Sequence, residues 1–258
     1  MVIVQTIMTF IVLGILYKRM VQREIPQPIE KRQAVFPVLL GLASVVVYVL
    51  LIYWLDIFSA IAQMLPVHFT PLFNDICSAI FVAAFPEEAA KLAMMLLAFW
   101  MFREKIKNVY EYVLIGAAVG FGFTLFEEFC YGFDQDITTL GRLFTVAAHM
   151  IFGMIMAKHL GLARYQKASE LENGDAEYIK AILTPFFLHA SFDALVDNPF
   201  INNEDDFAVL FLGLLLAVAA TIALFVLQIE VLSEFKKDTE KYCQMTFLSE
   251  TSTKKSKI

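Results

Sequence analysis

Seven apolar stretches, separated by short polar connections, constrain this chain more than any other feature. They cover about residues 2–17, 35–56, 76–102, 110–132, 141–163, 177–197 and 206–232. A bilayer core of roughly 30 Å takes about 20 apolar residues of helix to cross. Backbone in lipid must satisfy its own hydrogen bonds, and a helix does this within one segment. The expectation is an all-α fold, a polytopic membrane bundle of about seven transmembrane helices. Composition agrees, with 59% hydrophobic and only 18% charged residues. The formal charge of −6 and the lack of a basic stripe exclude nucleic acid as a partner. Cys77, Cys130 and Cys243 have no metal-binding or paired spacing and read as small buried side chains.

Basic residues give the bundle a direction. Lys18, Arg19, Arg23, Lys31 and Arg32 follow the first stretch. Arg103, Lys105 and Lys107 follow the third, and Arg164 and Lys167 the fifth. The last stretch is followed by Lys236, Lys237 and Lys241. The alternate connections, about 57–75, 133–140 and 198–205, carry no Lys or Arg. By the positive-inside rule the N-terminus lies outside the cell membrane and the C-terminus in the cytoplasm. Residues 1–232 form the bundle, with a motif core over 76–197. Residues 233–258 form a polar cytoplasmic tail, a frayed helix end followed by disorder. The stretch 57–75, with Pro66, His68 and Pro71, reads as a loop with room for an interfacial helix.

Ionisable groups within apolar segments cost several kcal/mol each, so those present need a reason. The third stretch holds Glu87, Glu88 and Lys91, the fourth Glu127 and Glu128, the fifth His149, and the sixth His189 and Asp193. At a rise of about 1.5 Å per residue, Glu87 sits roughly 16 Å from the outer end of its helix, Glu127 roughly 8 Å, and His149 and His189 about 12 Å each. Four helices thus bring polar groups to one level in the outer half of the membrane. Glu87 and Lys91 share a helix face, as do His189 and Asp193, and Phe123 and Glu127.

Two histidines and a carboxylate are a common Zn²⁺ ligand set with an open position, here Glu127, His149 and His189. Glu87 or Glu88 is then the general base acting on water, with Lys91 steadying the acidic pair. Asp193 orients His189 or joins the site. The same residues suit a metal-free mechanism in which Glu and His activate water directly. No HExxH and no serine nucleophile elbow occurs. A transporter or channel is the main rival, since such groups also line ion pathways. It predicts polar residues through the full depth, whereas the inner halves of the fourth and sixth stretches are nearly free of charge. A retinal-type receptor needs a lysine in the last stretch, and 206–232 has none.

The order Glu87-Glu88-x-x-Lys91, Phe123-x-x-x-Glu127, His149 and His189-x-x-x-Asp193 resembles the PrsW family of intramembrane proteases, distant relatives of the CAAX prenyl endopeptidases and Abi proteins. The glycine-rich run Gly116–Phe123 looks like a family feature too. The resemblance covers about residues 76–197. It implies an endopeptidase acting on a membrane-embedded protein substrate, such as a single-pass anti-sigma factor, within or beside the outer half of the bilayer. It also leaves room for a non-catalytic, partner-binding member. The CAAX branch typically has His at the position of Glu127 and Asn at that of Asp193, so prenyl-protein processing is not the expected activity. Glu128 is a further departure, standing where relatives often have Asn.

Overall fold

The computed structural model describes residues 2–25, 28–62, 70–131, 144–169, 174–202 and 206–247. Among these the chain is helical, apart from one isolated bridge between Asn108 and Thr246. The helices are α1 (Val2–Val21), α2 (Lys31–Ala62), α3 (Pro71–Ser78), a π-helical segment (Ala79–Ala84), α4 (Phe85–Met101), α5 (Val109–Tyr131), α6 (Ala148–Ala168), α7 (Gly174–Val196), a 3₁₀ turn (Pro199–Asn202), α8 (Phe207–Lys237) and α9 (Thr239–Gln244).

Four helices are long and apolar enough to cross a membrane: Lys31–Leu55, Val109–Cys130, Gly174–Ile201 and Phe207–Lys237. They correspond to the second, fourth, sixth and seventh expected stretches. The other three are helices as well, but their length and composition do not reach the same standard. α1 ends in Lys18 and Arg19. α4 carries Glu87, Glu88 and Lys91 within 17 residues. α6 carries Lys158, His159, Arg164 and Lys167. Charges that lower apolarity in α4 and α6 are in part the ones that build the polar clusters described below.

The connection expected over 57–75 is largely helical where it is described. α2 runs on to Ala62, and α3 begins at Pro71. Thr70 caps α3, its Oγ1 accepting from Phe73 N at 3.3 Å, and Pro71 takes the first-turn place where its missing N–H costs nothing. Residues 63–69, with Pro66 and His68, lie outside the described residues, as do Arg142 and the whole connection 133–140. Nor does the chain fray at residue 232. α8 continues to Lys237, and α9 follows after Asp238. Val109 N donates to Met245 O at 3.1 Å and Phe247 N to Lys107 O at 3.0 Å, so the tail is tied back to the start of α5. The Arg164 guanidinium lies 4.4 Å from the Phe247 ring centre. Apolar Tyr242, Cys243 and Phe247 are buried there, which explains why a segment polar on average stays docked.

α5 is the axis of the bundle. Its spanning window is 72% buried, against 17% for α8, which turns Phe211, Val218 and Ile222 outward. Glycines let α5 approach its neighbours at backbone distance. Gly116 and Gly120 meet α6 at Gly153, His149 and Met150, and Gly122 meets α2 at Gly41. A Cβ on Gly120 would lie 2.6 Å from Met150 Cα and against the His149 carbonyl, both backbone atoms that cannot yield. Gly120→Ala is therefore expected to cost about 1–3 kcal/mol through overpacking. Gly14→Ala, whose added carbon would meet only Phe121 Cζ at 3.9 Å, is expected to be neutral or stabilising. Thermal unfolding of the two variants in micelles compares them directly.

A buried acid pair sits where the α1–α2 connection meets α5. Glu24 Oε2 accepts from Ile29 N at 2.6 Å, and Oε1 accepts from Asn108 Nδ2 at 3.4 Å. Burial, followed by the neighbouring Glu111 charge, pushes the Glu24 carboxyl up to about 7. A group raised in the folded state favours folding at low pH and loses that contribution as pH climbs from its unfolded value, near 4.5, through about 7. Stability is thus expected to fall over that window, and Glu24→Gln to flatten the fall. Denaturation midpoints at a series of pH values test this; an unchanged slope in the variant contradicts it.

Candidate active site

Pro86 opens α4. It has no N–H to close the preceding helical turn, and the chain just before it is widened into the π-helical segment Ala79–Ala84. Glu87 and Glu88 follow in the first turn of α4, with Lys91 one turn later. Glu127 comes from the far end of α5, His149 from the first turn of α6, and His189 and Asp193 from α7. Pro185, one turn before His189, removes a second backbone hydrogen bond close to the site.

Lys91 is fully buried. Its Nζ donates to Glu88 Oε1 at 2.6 Å, lies 2.9 Å from His149 Nδ1, and stands 4.6 Å from the Phe123 ring centre. An ammonium has only donors, so His149 Nδ1 accepts and the ring hydrogen falls on Nε2. Nε2 faces Glu127 Oε2 at 2.5 Å. His189 is held from the other side. Its Nδ1 lies 2.8 Å from Glu88 Oε1 and its Nε2 lies 3.2 Å from Asp193 Oδ2. Glu88 is thus the carboxylate that orients His189 through Nδ1, and it is already bound to Lys91. Asp193 lies on the opposite, Nε2 side.

Glu87 occupies the middle. Its Oε2 is 3.8 Å from His149 Nδ1 and 3.8 Å from His189 Nε2. Glu87, His149 and His189 present ligand atoms all within 4.8 Å of one another. Glu87 Oε2 and Asp193 Oδ2 are buried oxygens that take part in no hydrogen bond among the described residues; the Asp193–His189 approach is close but not aligned for one. Carboxylate oxygens in that condition, beside imidazoles, fit a divalent cation. The set Glu87, His149, His189 differs from the sequence expectation, which grouped Glu127 with the histidines and held Glu87 back as a base. Glu127 remains within reach through His149.

All seven expected residues therefore meet in one cluster. Glu128 is fully buried on another face of α5, about 100° from Glu127. His159 lies about three turns beyond His149 on α6 and pairs with Glu177 at 2.6 Å. Two aromatic residues of the site were not anticipated. Phe152 stacks on His189 with centroids 5.3 Å apart, and Tyr48 of α2 meets Phe123 edge-on at 6.4 Å. Phe152 could have been found, since it follows His149 by one turn on the same face. Tyr48 could not, because its contact is with a distant helix.

The sequence profile of the PrsW family intramembrane metalloproteases matches residues 30–229. The chain belongs to the PrsW family. Protease PrsW of Halalkalibacterium halodurans is 27% identical to it over 126 residues, 48% of this chain. That match spans 56% of the relative, so the chain covers about half the length of the curated protein it resembles. No solved structure matches it. The family match begins just before α2 and ends within α8, and so encloses every helix that contributes to the cluster.

The buried ion pair of this PrsW-family chain makes a sharp stability prediction. Lys91→Met leaves Glu88 without its cation and should cost about 3–5 kcal/mol. Lys91→Met with Glu88→Gln should recover much of that, because no lone charge remains. Denaturant titration of both variants measures the difference; equal loss in the two means the pair does not stabilise as a unit.

Proposed function

We propose that this chain is an intramembrane peptidase that hydrolyses a peptide bond of a membrane-embedded protein, within or beside the outer half of the cell membrane. The observation that carries the reading is Glu87 Oε2, buried without a hydrogen bond and 3.8 Å from two histidine nitrogens supplied by two other helices. The family described as intramembrane metalloproteases supports it. A single-pass protein such as an anti-sigma factor is the substrate class proposed. The proposed topology has seven spans, α1, α4 and α6 included, with the N-terminus outside and the C-terminus cytoplasmic, as the basic connections suggest.

Glu87, His149 and His189 are the residues that would hold the metal, Zn²⁺ being the ion best matched to two imidazoles and one carboxylate. Such an ion, when bound, polarises the substrate carbonyl and acidifies water. Glu88 donates nothing to the reaction directly. It accepts the Nδ1 hydrogen of His189 and so leaves Nε2 turned toward the site, while Lys91 holds Glu88 in place. Glu127 and Asp193 are less buried than Glu88, at 14% and 19% side-chain exposure against 5%. They are the carboxylates placed to take a proton from water and return it to the leaving amine. Phe123 and Phe152 pack on the two imidazoles and restrict water to the mouth of the cluster.

One observation favours a second reading. His149 Nδ1 accepts from Lys91 and its hydrogen then falls on Nε2, toward Glu127, so His149 in this arrangement has no lone pair to spare. A metal-free site would use Glu87 as the base toward water, with His149 and Glu127 relaying the proton. A transport function is less well supported. Buried Met150, Ile151, Met154 and Ile155 fill α6 between His149 and the next charged residue, Lys158, and leave no polar route along it.

Cleavage of a single-pass substrate by purified protein tests the proposal. Glu87→Gln and His189→Ala should each lower the rate at least about a hundredfold, the scale of a lost proton-transfer or metal-holding group. Near one metal ion per chain, lost in His189→Ala, favours the metal reading. Full activity after exhaustive chelation favours the glutamate reading. Undiminished cutting by both variants would sink the peptidase assignment.

A further inference from the structure

A cavity lies away from the acidic cluster, at the other end of the α2–α4 pair. It holds about 340 Å³ and is lined by Arg32, Trp100, Arg103, Glu104 and Lys105, among others. Arg32 lies in the first turn of α2, and Trp100 and Arg103 flank the end of α4. α2 is long and apolar enough to span from Lys31 onward, so the proposed topology puts the cavity at the membrane–water boundary.

Its chemistry is cationic. Arg32 is exposed and, among the described residues, makes no ion pair or hydrogen bond. Arg103 lies 5.7 Å from the Trp100 ring centre and reaches the Glu104 carboxylate only at 3.8 Å, with both side chains mostly exposed. Lys105 is the cation already committed, to Glu30 at 2.6 Å. Two guanidiniums therefore face the cavity with little to neutralise them. Their planar forks suit the paired oxygens of a phosphate. Beside the cavity the two helices are apolar and uncovered. Val35 and Leu39 on α2, and Leu96 and Trp100 on α4, are each more than half exposed. A ligand with a phosphate at the cavity and hydrocarbon along those faces would satisfy both halves.

We propose that this cavity binds the headgroup of an anionic phospholipid, with Arg32 and Arg103 on the phosphate and the acyl chains along the exposed faces of α2 and α4. The lipid braces the helix that carries Glu87, Glu88 and Lys91, from the end opposite those residues. The assignment does not depend on the peptidase reading. A free phosphate ester would use the same guanidiniums, but it would have no use for the apolar faces.

The test is native mass spectrometry of the full chain, released from nanodiscs of phosphatidylcholine doped with phosphatidylglycerol. The parent protein should retain phosphatidylglycerol in preference to phosphatidylcholine. Arg32→Ala with Arg103→Ala should reduce that retention about twenty-five-fold, at roughly five-fold for each basic residue near an anionic surface. Lys236→Ala with Lys237→Ala, which removes two cations at the end of α8, should leave it unchanged. Equal retention by the Arg32/Arg103 variant overturns the site, and equal loss in both double variants reduces it to diffuse surface charge. Glycerophosphate, offered as a soluble competitor, should fail to displace the lipid at millimolar concentration. Displacement there would reassign the cavity to free phosphate esters. Both pairs are exposed, so folding is expected to survive, and a monodisperse elution profile checks this.

Discussion

A lysine with no exposure to solvent, set among apolar helices, cannot be held without partners. Lys91 finds them in three directions: the Glu88 carboxylate, the His149 ring nitrogen and the face of Phe123. Each partner then fixes something else. Glu88, tied to Lys91, accepts from His189 and sets that ring's orientation. His149, accepting at Nδ1, must present its hydrogen at Nε2, where Glu127 waits. One buried ammonium thus links α4, α5, α6 and α7 and decides which nitrogen of each imidazole faces the site. Glu87, like Asp193, is left with a buried oxygen in no hydrogen bond, but Glu87 alone of the two lies close to both histidines, and this is why it is central to the proposed chemistry.

That network requires backbones closer than ordinary side chains permit. Gly116, Gly120 and Gly153 bring α5 against α6, and Gly120 meets the carbonyl of His149 itself. A ligand position and a packing seam therefore share one residue. The π-helical segment before Pro86 is a comparable device on α4, altering the register just ahead of Glu87 and Glu88. Such distortions cost stability in a regular helix, and these sit directly beside the polar cluster. At the opposite end, His159 with Glu177 and Lys158 with Glu234 join α6 to α7 and α8, so two polar layers enclose an apolar middle.

Much of this was legible before any coordinates. The apolar stretches gave the helical class, and the charges within them gave the candidate residues, since an ionisable group in such a segment has few explanations. Helical spacing paired His189 with Asp193, and the pair is in fact adjacent. Legibility failed where the answer depended on partners from other helices. Spacing suggested Asp193 as the orienter of His189, but Glu88, 101 residues away in sequence, holds Nδ1. The choice between Glu87 and Glu88 was open because adjacent residues differ only by about 100° of rotation, and rotation is set by packing. The tail read as polar on average, which hid three buried apolar residues whose contacts lie on α5, α6 and α8. Four of the seven expected stretches pass on length and composition among the described residues; α4 is short and carries the charges of the site, and α6 carries Lys158, Arg164 and Lys167 at its other end.

The sequence by itself determined the helical class, the polar residues buried within apolar helices and, through their order, the PrsW family. These are properties of composition and spacing along one chain, and the bilayer's demand for satisfied backbone makes them decisive. The tertiary structure alone decided how those residues divide the work. It joined Lys91 to Glu88, gave His189 to Glu88 and His149 to Glu127, and left Glu87 in the middle. Those assignments follow from distances of a few ångströms between helices, which glycine contacts and local helix distortions fix and which no spacing along the chain encodes.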